Sequence, residues 1–428
     1  MDTLGLLVMA YPVVMALVWL TGGVYFWYRR ERGQAGVDEP PLPADAPLVS
    51  VLVPCHDEGA NVRETLTAAL EQSWPSLEVV AVDDGSTDDT WEQMLALAAE
   101  QPRLRVIRLR TNEGKAVALR TAALAARSDI LVCVDGDSLL DEHAVAWLAS
   151  HLLTTARVGA VAGNPRIRNR STLLGRLQVG EFSAIVGLTR RAQRTYGRVF
   201  TVSGAVCAFR RAALHRVGWW SDTAVTEDID ISWRLQRDHW DVRYEPRALC
   251  GILTPESVGG LWRQRRRWAR GGLQTLVRHA PSLLSWRRRR MWPVLLESVV
   301  SIAWALAACA VVAATTVGVL AEGVAAGTPL TDLGVDLGNA VVRWTGVVVA
   351  VVCLLQFAVS RRIEAPYEPA GDRTLVWLVW YPLAYWLISM LAAVAAVLTL
   401  GWRTPRGRAT WSSPDRGLVT AVPAGEPS

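Results

Sequence analysis

Lysine is almost absent from this chain. Of the 45 Lys and Arg residues in its 428 positions, only Lys115 is lysine. Cysteine is sparse as well: the six, at 55, 133, 207, 250, 309 and 353, show no CxxC spacing, and two fall in apolar runs. That scatter suggests neither a disulfide framework nor a zinc site and suits a reducing compartment. No GxGxxG follows the first strand-like segment, which argues against a dinucleotide-binding Rossmann domain. No basic residue precedes the first apolar run, which disfavours a signal peptide and favours a retained anchor. Charge of one sign is missing twice. Residues 263–290 hold ten arginines and no acid, and residues 322–336 hold no Lys or Arg.

What is abundant is apolar sequence. Hydrophobic residues make up 51% of the chain and mean hydropathy is +0.20. Four runs are long enough to span a bilayer, which takes about 20 apolar residues: Thr3–Tyr28, Ser298–Ala321, Leu337–Ser360 (interrupted by Arg343) and Thr374–Trp402. The basic flanks "YRRER" and "WRRRR" put the segment between the first two runs on the cytoplasmic side. By the same rule the 322–336 loop faces outward and "RRIEAPYEPAGDR" inward. Four crossings would leave the tail outside despite its four arginines, so either Pro382 divides the last run or one run does not cross. The expected organisation is an anchor at 1–30, a cytoplasmic domain at 45–290 ending in an interfacial basic segment, membrane helices at 293–402 and a tail at 403–428. The expected setting is a cell membrane crossed several times, with this domain on its cytoplasmic side.

Between the spans, apolar β-branched runs alternate with helical periodicity. "VSVLV" up to Pro54, Leu77–Val82, "LRVIRLR" and "DILVCV" read as strands, with helices after each, the second capped near Ser86 or Thr87. The pattern predicts a doubly wound α/β sheet, in which ligands bind beyond the carboxyl ends of the strands. Three features carry chemistry there. In "VDDGS", Asp83 or Asp84 can accept from a nucleotide base or its sugar, or can equally cap a helix turn. In "VDGD", Asp135 and Asp137 can reach one hard divalent cation, Mg2+ or Mn2+, bridging a diphosphate. Lys115, at a helix start, offers a compact charge to phosphate, although its uniqueness alone is compatible with chance. "TEDIDISW" adds Glu227, Asp228 and Asp230 just before the arginine block. With Thr226 as N-cap, Asp228 lies in the first helical turn, and Ile229/Trp233 and Ile231/Leu235 form i,i+4 pairs facing the core.

The order "VDDGS", "VDGD", "TED" and "QRRRW", flanked by membrane runs, resembles the processive family-2 glycosyltransferases, the nucleotide-sugar-dependent synthases of cellulose, chitin and hyaluronan. The phrases "GNPRIRNRSTLLGRLQVGEFSAIVGLTRR", "VFTVSGAVCAFRR", "TEDIDISWRLQRDHWDVRYEPRALC" and "GLWRQRRRWARGG" resemble the bacterial poly-β-1,6-N-acetyl-D-glucosamine synthases within that family. The resemblance is dense over residues 48–275. It implies a GT-A-like, nucleotide-sugar-binding sheet domain plus transmembrane α-helices, and inverting polymerisation of N-acetylglucosamine from UDP-N-acetylglucosamine into a biofilm exopolysaccharide. It implies that Asp84 meets the uridine with Asp83 beside it, and that Asp135 and Asp137 hold the metal. Asp228 would be the general base, and Gln264, Arg267 and Trp268 would shape the acceptor end and meet the diphosphate. Lys115 and Glu227 join them as substrate-binding candidates. "PCHDE" departs from the family in carrying Asp57 where Asn is usual. The implied partners are the growing polysaccharide, membrane lipids and a small membrane co-synthase subunit with cyclic di-GMP at their interface; no nucleic acid is expected. Tryptophan, at 20 residues, clusters near the membrane boundaries as an interfacial belt (Trp286, Trp292, Trp377, Trp380, Trp386). Rival readings are a polyprenyl-phosphate sugar transferase, which would share the aspartates but lack "QRRRW", and a transport pore without chemistry.

Overall fold

The apolar runs that alternate with helices in the sequence pair as strands of one sheet. The structure, a computed structural model, describes residues 3–326, 344–368 and 381–400. β1 (Val49–Cys55), β2 (Leu77–Asp83), β3 (Leu104–Arg108) and β4 (Ile130–Val134) are parallel, connected through α2 (Val62–Leu70), α3 (Thr90–Glu100) and α4 (Lys115–Ala125). The sheet continues with β5 (Leu139–Leu140), β6 (Val158–Ile167), β7 (Val206–Arg210) and β8 (Asp241–Ile252), in the order β3-β2-β1-β4-β7-β6-β8-β5. β7 runs antiparallel to both neighbours, with Cys133 opposite Cys207, so the doubly wound half is parallel and the other half mixed. All six cysteines are free thiols.

Helices cover both faces because these strands are buried on both sides. On one face α2, α3 and α5 (Ala144–Thr154) bury Leu66, Met94, Leu97, Trp147 and Leu148 against Val51, Val79 and Val132. On the other, α4, α8 (Arg211–Val217) and α9 (Glu227–Arg237) bury Leu119, Leu214, Ile231 and Leu235 against Leu52, Val80 and Leu131.

Two local expectations change. β1 does not stop before Pro54 but runs through it, Pro54 lying opposite Val82. Pairing with β4 ends at Leu52, so a residue without an N–H is tolerated beyond that point. α3 begins at Thr90 rather than near Ser86. Asp83 Oδ1 accepts from the Ser86 amide (3.1 Å) and Asp88 Oδ1 from the Thr90 amide (3.0 Å), holding the intervening residues as a turn.

Among the described residues, two helical stretches are long and apolar enough to cross a membrane, Ala10–Arg30 and Trp286–Glu322. They belong to α1 (Thr3–Arg30) and α11 (Trp292–Ala326), the latter entered through a 3-10 turn. The third and fourth apolar runs are helical over α12 (Trp344–Glu364) and α13 (Tyr381–Leu400). Arg343, Trp377, Trp380, most of the 322–336 loop and the tail lie outside the described residues. Leu296, Val312, Val317, Val351, Leu387 and Leu398 expose apolar side chains on these helices, a surface that suits lipid contact. Exposed Trp286, Arg287, Arg289 and Arg290 sit at the entry to α11, as an interfacial segment would.

α6 (Leu173–Glu181), a π-helical turn at Phe182–Gly187 and α7 (Leu188–Thr195) link the sheet domain to these helices. Leu188 and Ala192 of α7 pack on Trp19 and Leu20 of α1 and on Ile363 of α12. Beside them lies a buried ion network. Glu364 pairs with both Arg166 of β6 and Arg191 of α7, while Arg191 Nε also reaches Glu31 Oε1 at 2.6 Å. Tyr367 donates to Glu31 Oε2 at 2.9 Å. Removing one member of a buried pair strands its partner's charge, at a cost of about 3–5 kcal/mol. Glu364→Gln is therefore expected to destabilise the protein by about that amount. A thermal melt of the variant in detergent checks it, and an unchanged midpoint would show that the network bears no stability.

Candidate active site

The site forms where five chain segments meet beyond the carboxyl end of β4. That strand delivers Asp135 and Asp137, and the start of α4 delivers Lys115. The loop before β7 brings Ser203 and Gly204, α9 brings Glu227 and Asp228, and α10 (Val258–Leu283) brings Gln264, Arg267 and Trp268. Together they line one cavity of about 370 Å³, which also touches Tyr385 of α13. Eight of the ten site residues expected from sequence thus share one cavity. Asp83 and Asp84 do not line it. Both are fully buried. Asp83 accepts from the Ser86 amide and pairs with Arg108 Nε at 3.1 Å. Asp84 accepts from the amides of Glu113 and Gly114, each at 2.8 Å, which fixes the turn presenting Lys115. Burial pushes the Asp84 carboxyl above its usual range, the two amides opposing it. Asp57, at a positive φ of 51°, accepts from the Thr87 amide at 2.8 Å and so joins its turn to the "DDGST" turn.

The three acids of "TEDIDISW" go to three different places. Glu227 Oε1 lies 3.1 Å from Lys115 Nζ, which also meets Asp135 Oδ1 at 2.5 Å. Burial works against the charge of Glu227, but Lys115 overrides it and holds the carboxyl below its usual range. Lys115 is held above its ordinary value, because Asp135 and Glu227 outweigh its desolvation. Asp230 is buried against His279 Nε2 (2.9 Å) and Arg234 Nε (2.7 Å), tethering α9 to α10. Asp228 faces the cavity without an ion pair of its own among the described residues. Its Oδ1 accepts from the Ile229 amide at 3.0 Å and its Oδ2 meets the Thr201 hydroxyl at 3.4 Å. Burial, then the negative charge of Glu227, pushes its pKa up to about 6.

The local fold dictates this presentation. Ile229 and Trp233 pack under α10 with Leu276, while Ile231 and Leu235 pack on the sheet, so α9 is fixed on two sides and its first turn points into the cavity. Thr226 stands at the N-cap position, yet its hydroxyl makes no capping bond; Asp228 Oδ1 bonds the Ile229 amide inside the first turn instead. The Thr226 side chain is packed against α10 at Gly271, where a Cβ would come within 2.1 Å of its Oγ1. Gly204 matters similarly: a Cβ there would lie 3.2 Å from Lys115 Nζ and 3.6 Å from Asp228 Oδ2.

Asp135 and Asp137 suit a divalent cation. Burial, opposed by Lys115 and reinforced by Asp137, raises the Asp135 carboxyl, a charge imbalance that a cation relieves. Among the described residues no group of three or more His, Cys, Asp or Glu could hold a metal. The pair therefore fits an ion that completes its shell with substrate oxygens and water, as Mg2+ does at phosphate sites.

Sequence motifs missed several cavity residues. Arg265, inside "QRRRW", is buried against Glu181 of α6 at 2.7 Å and lies 4.3 Å over the Trp268 ring. Glu181, Phe182, Thr189, Arg190 and Gln193 also line the cavity. They fall in the family-like phrase running from Gly163 to Arg191 or just beyond it, a stretch that contains no motif to assign them individually.

A carboxylate without an ion pair among the described residues, beside a positively charged wall at the strand ends of a mixed α/β sheet, suits group transfer, and comparison with known proteins specifies which group. Residues 46–271 match the family described as "Glycosyltransferase like family 2". The chain is 32% identical over 420 residues to the poly-beta-1,6-N-acetyl-D-glucosamine synthase of Staphylococcus epidermidis, covering 96% of this chain and 97% of that one. It is 32% identical over 408 residues to the synthase of the same name from Staphylococcus aureus strain COL, covering 95% and 97%. Its fold is similar to that of a mannosyltransferase from Pyrobaculum calidifontis, solved with GDP-Man and Mn2+, with a TM-score of 0.60 and 22% identity over 92% of this chain and 99% of that one. The protein is a glycosyltransferase. It belongs to glycosyltransferase family 2.

Lys115→Ala removes the charge that Asp135 and Glu227 share, whereas Lys115→Arg keeps it. The alanine variant is expected to raise the KM for the sugar-nucleotide donor more than the arginine variant does. Steady-state kinetics on both check this, and full, equal activity would make Lys115 dispensable.

Proposed function

We propose that this protein is a membrane-bound processive synthase that polymerises N-acetylglucosamine from UDP-N-acetylglucosamine into a β-1,6-linked exopolysaccharide. Its catalytic domain would be cytoplasmic and the product exported between the membrane helices. The names and near full-length coverage of the staphylococcal relatives support the donor and linkage. The observation that carries the chemistry is the division of labour between adjacent acids. Glu227 is neutralised by Lys115, whereas Asp228 faces the cavity with its pKa raised to about 6, a good value for a general base near neutral pH.

In the transfer, Asp228 takes the proton of the acceptor's 6-hydroxyl as that oxygen attacks the donor's anomeric carbon. The bond from that carbon to the diphosphate breaks, inverting the centre and releasing UDP. Lys115 and Arg267 supply positive charge to the departing diphosphate, and Trp268 gives the acceptor ring an apolar face. Asp135 and Asp137 would hold the divalent cation, which adds charge neutralisation on the diphosphate when bound. The resemblance extends this reading to a small membrane co-synthase subunit with cyclic di-GMP at their interface.

The direct test incubates membranes with several UDP-sugars and divalent metal, then digests the product with linkage-specific hydrolases. A product resistant to β-1,6-hexosaminidase would refute the linkage, and a single-sugar lipid product would point to polyprenyl-phosphate transfer.

Two further outcomes are expected. Asp228→Asn should lower turnover on the order of 10²-fold or more, with UDP affinity within a few-fold of wild type. A base must be unprotonated, so wild-type turnover should fall about tenfold per pH unit below a pH of about 6 and level off above it. Near-normal turnover in Asp228→Asn, or a flat acid limb, would remove Asp228 from the base role. Asp137→Asn and excess chelator should each abolish transfer, since the remaining carboxylate holds a cation poorly; wild-type rates in chelator would exclude the metal.

A further inference from the structure

One wall of the cavity is α7, and it carries polar groups that the chemistry above leaves unused. Arg190 is 8% exposed and lines the cavity. Of its five N–H donors, one bonds the Gly163 carbonyl at 3.2 Å, and among the described residues the side chain has no ion pair. Thr189, beside it on the same wall, has a buried hydroxyl with no hydrogen-bond partner among the described residues. The Gln264 amide oxygen, on α10, is likewise buried and unpartnered in the same cavity. Buried polar groups are nearly always hydrogen-bonded, so two unpartnered groups and a guanidinium with one hydrogen bond around one cavity mark a ligand's place.

Their chemistry identifies the class of ligand. A diphosphate site presents donors only, whereas this set mixes the guanidinium donors of Arg190, the acceptor of Gln264 and a hydroxyl able to do both. That mixture matches the hydroxyl and acetamido groups of an uncharged sugar. Position distinguishes which sugar. The diphosphate belongs with Lys115, Asp135 and Asp137 at the strand ends, whereas α7 is the helix packed on α1 and α12, the side through which a polymer would reach the membrane helices.

We propose that Thr189 and Arg190 form the membrane-side half of the acceptor subsite, hydrogen-bonding the neutral oxygens of the sugar whose hydroxyl Asp228 deprotonates. The assignment rests on the polymerase reading given above. Arg190 supplies a directional grip on a hydroxyl or acetamido oxygen, and Thr189 completes it along the same helix edge.

The test uses the full-length protein in detergent, a β-1,6-linked N-acetylglucosamine oligosaccharide as acceptor and UDP as a competitive inhibitor of the donor site. Thr189→Val, which keeps the side-chain shape, should raise the acceptor KM about 3–10-fold. Arg190→Gln should raise it about 10-fold or more, the scale of a lost hydrogen bond to a neutral and a charged donor respectively. The inhibition constant of UDP should stay within about twofold in both, because no diphosphate contact is altered. An unchanged acceptor KM in Thr189→Val with a wild-type thermal midpoint would overturn the proposal, even if Arg190→Gln failed to fold. A loss that falls on UDP affinity would overturn it too, by moving Arg190 to the donor. Wild-type protein that extends no oligosaccharide while still releasing UDP from the donor would refute the polymerase reading, and this assignment with it.

Discussion

One ammonium group organises the active site. Lys115 Nζ lies between Asp135, from the end of a strand, and Glu227, from the start of a helix more than a hundred residues later in the chain. Without that charge the two carboxylates would face each other with no cation between them. With it, Glu227 stays ionised, and its negative charge acts on the next residue. Burial first, and then that neighbouring charge, raises Asp228 to about 6, with Lys115 opposing them. An arginine fork would distribute the same charge over a wider, planar group, whereas the site needs a point charge within reach of two carboxylates. This gives a physical reason for a single lysine in a chain that otherwise uses arginine throughout.

The Asp228 carboxylate is only as well placed as the helix that carries it. α9 is held on the sheet side by Ile231 and Leu235 and on the α10 side by Ile229 and Trp233, each buried side chain worth about 1.5–3 kcal/mol. Asp230 adds a directional tie to His279 and Arg234. Burial alone would penalise its charge, but the His279 hydrogen bond and Arg234 hold the carboxyl below its usual range. Because α10 also supplies Gln264, Arg267 and Trp268, these side chains and the Asp228 carboxylate are positioned by one packed pair of helices.

The same economy joins the catalytic part to the apolar helices. α7 shows one side to the cavity and the other to α1 and α12, and Arg191 on α7 shares Glu364 with Arg166 of the sheet. α10 in turn packs on α13, whose Tyr385 reaches the cavity. The site is therefore walled in part by the elements that would sit at the membrane surface.

Alternation of apolar runs and helical periodicity was enough to place β1 to β4 and the carboxylates at their ends, because β1, β2 and β4 are buried on both faces and their composition records that. "VDGD", "TED" and "QRRRW" were legible for the same reason that any short motif is: their chemistry is local. Three things were not. The antiparallel setting of β7 depends on which strand edge is free when the chain returns. The roles of Asp83 and Asp84 depend on turns contributed by residues 108–114, so the carboxylates that look most nucleotide-like are bound to the protein's own amides. Thr189, Arg190 and Glu181 carry no motif, and only the packing of α6 and α7 against the apolar helices turns them toward the cavity. Sequence alone determined which chemical groups the chain possesses and which strand end or helix start each occupies, since those follow from local pattern. Tertiary structure decided which of three neighbouring acids faces the cavity without an ion pair, because that depends on where Lys115 of α4 and His279 of α10, from distant parts of the chain, come to rest.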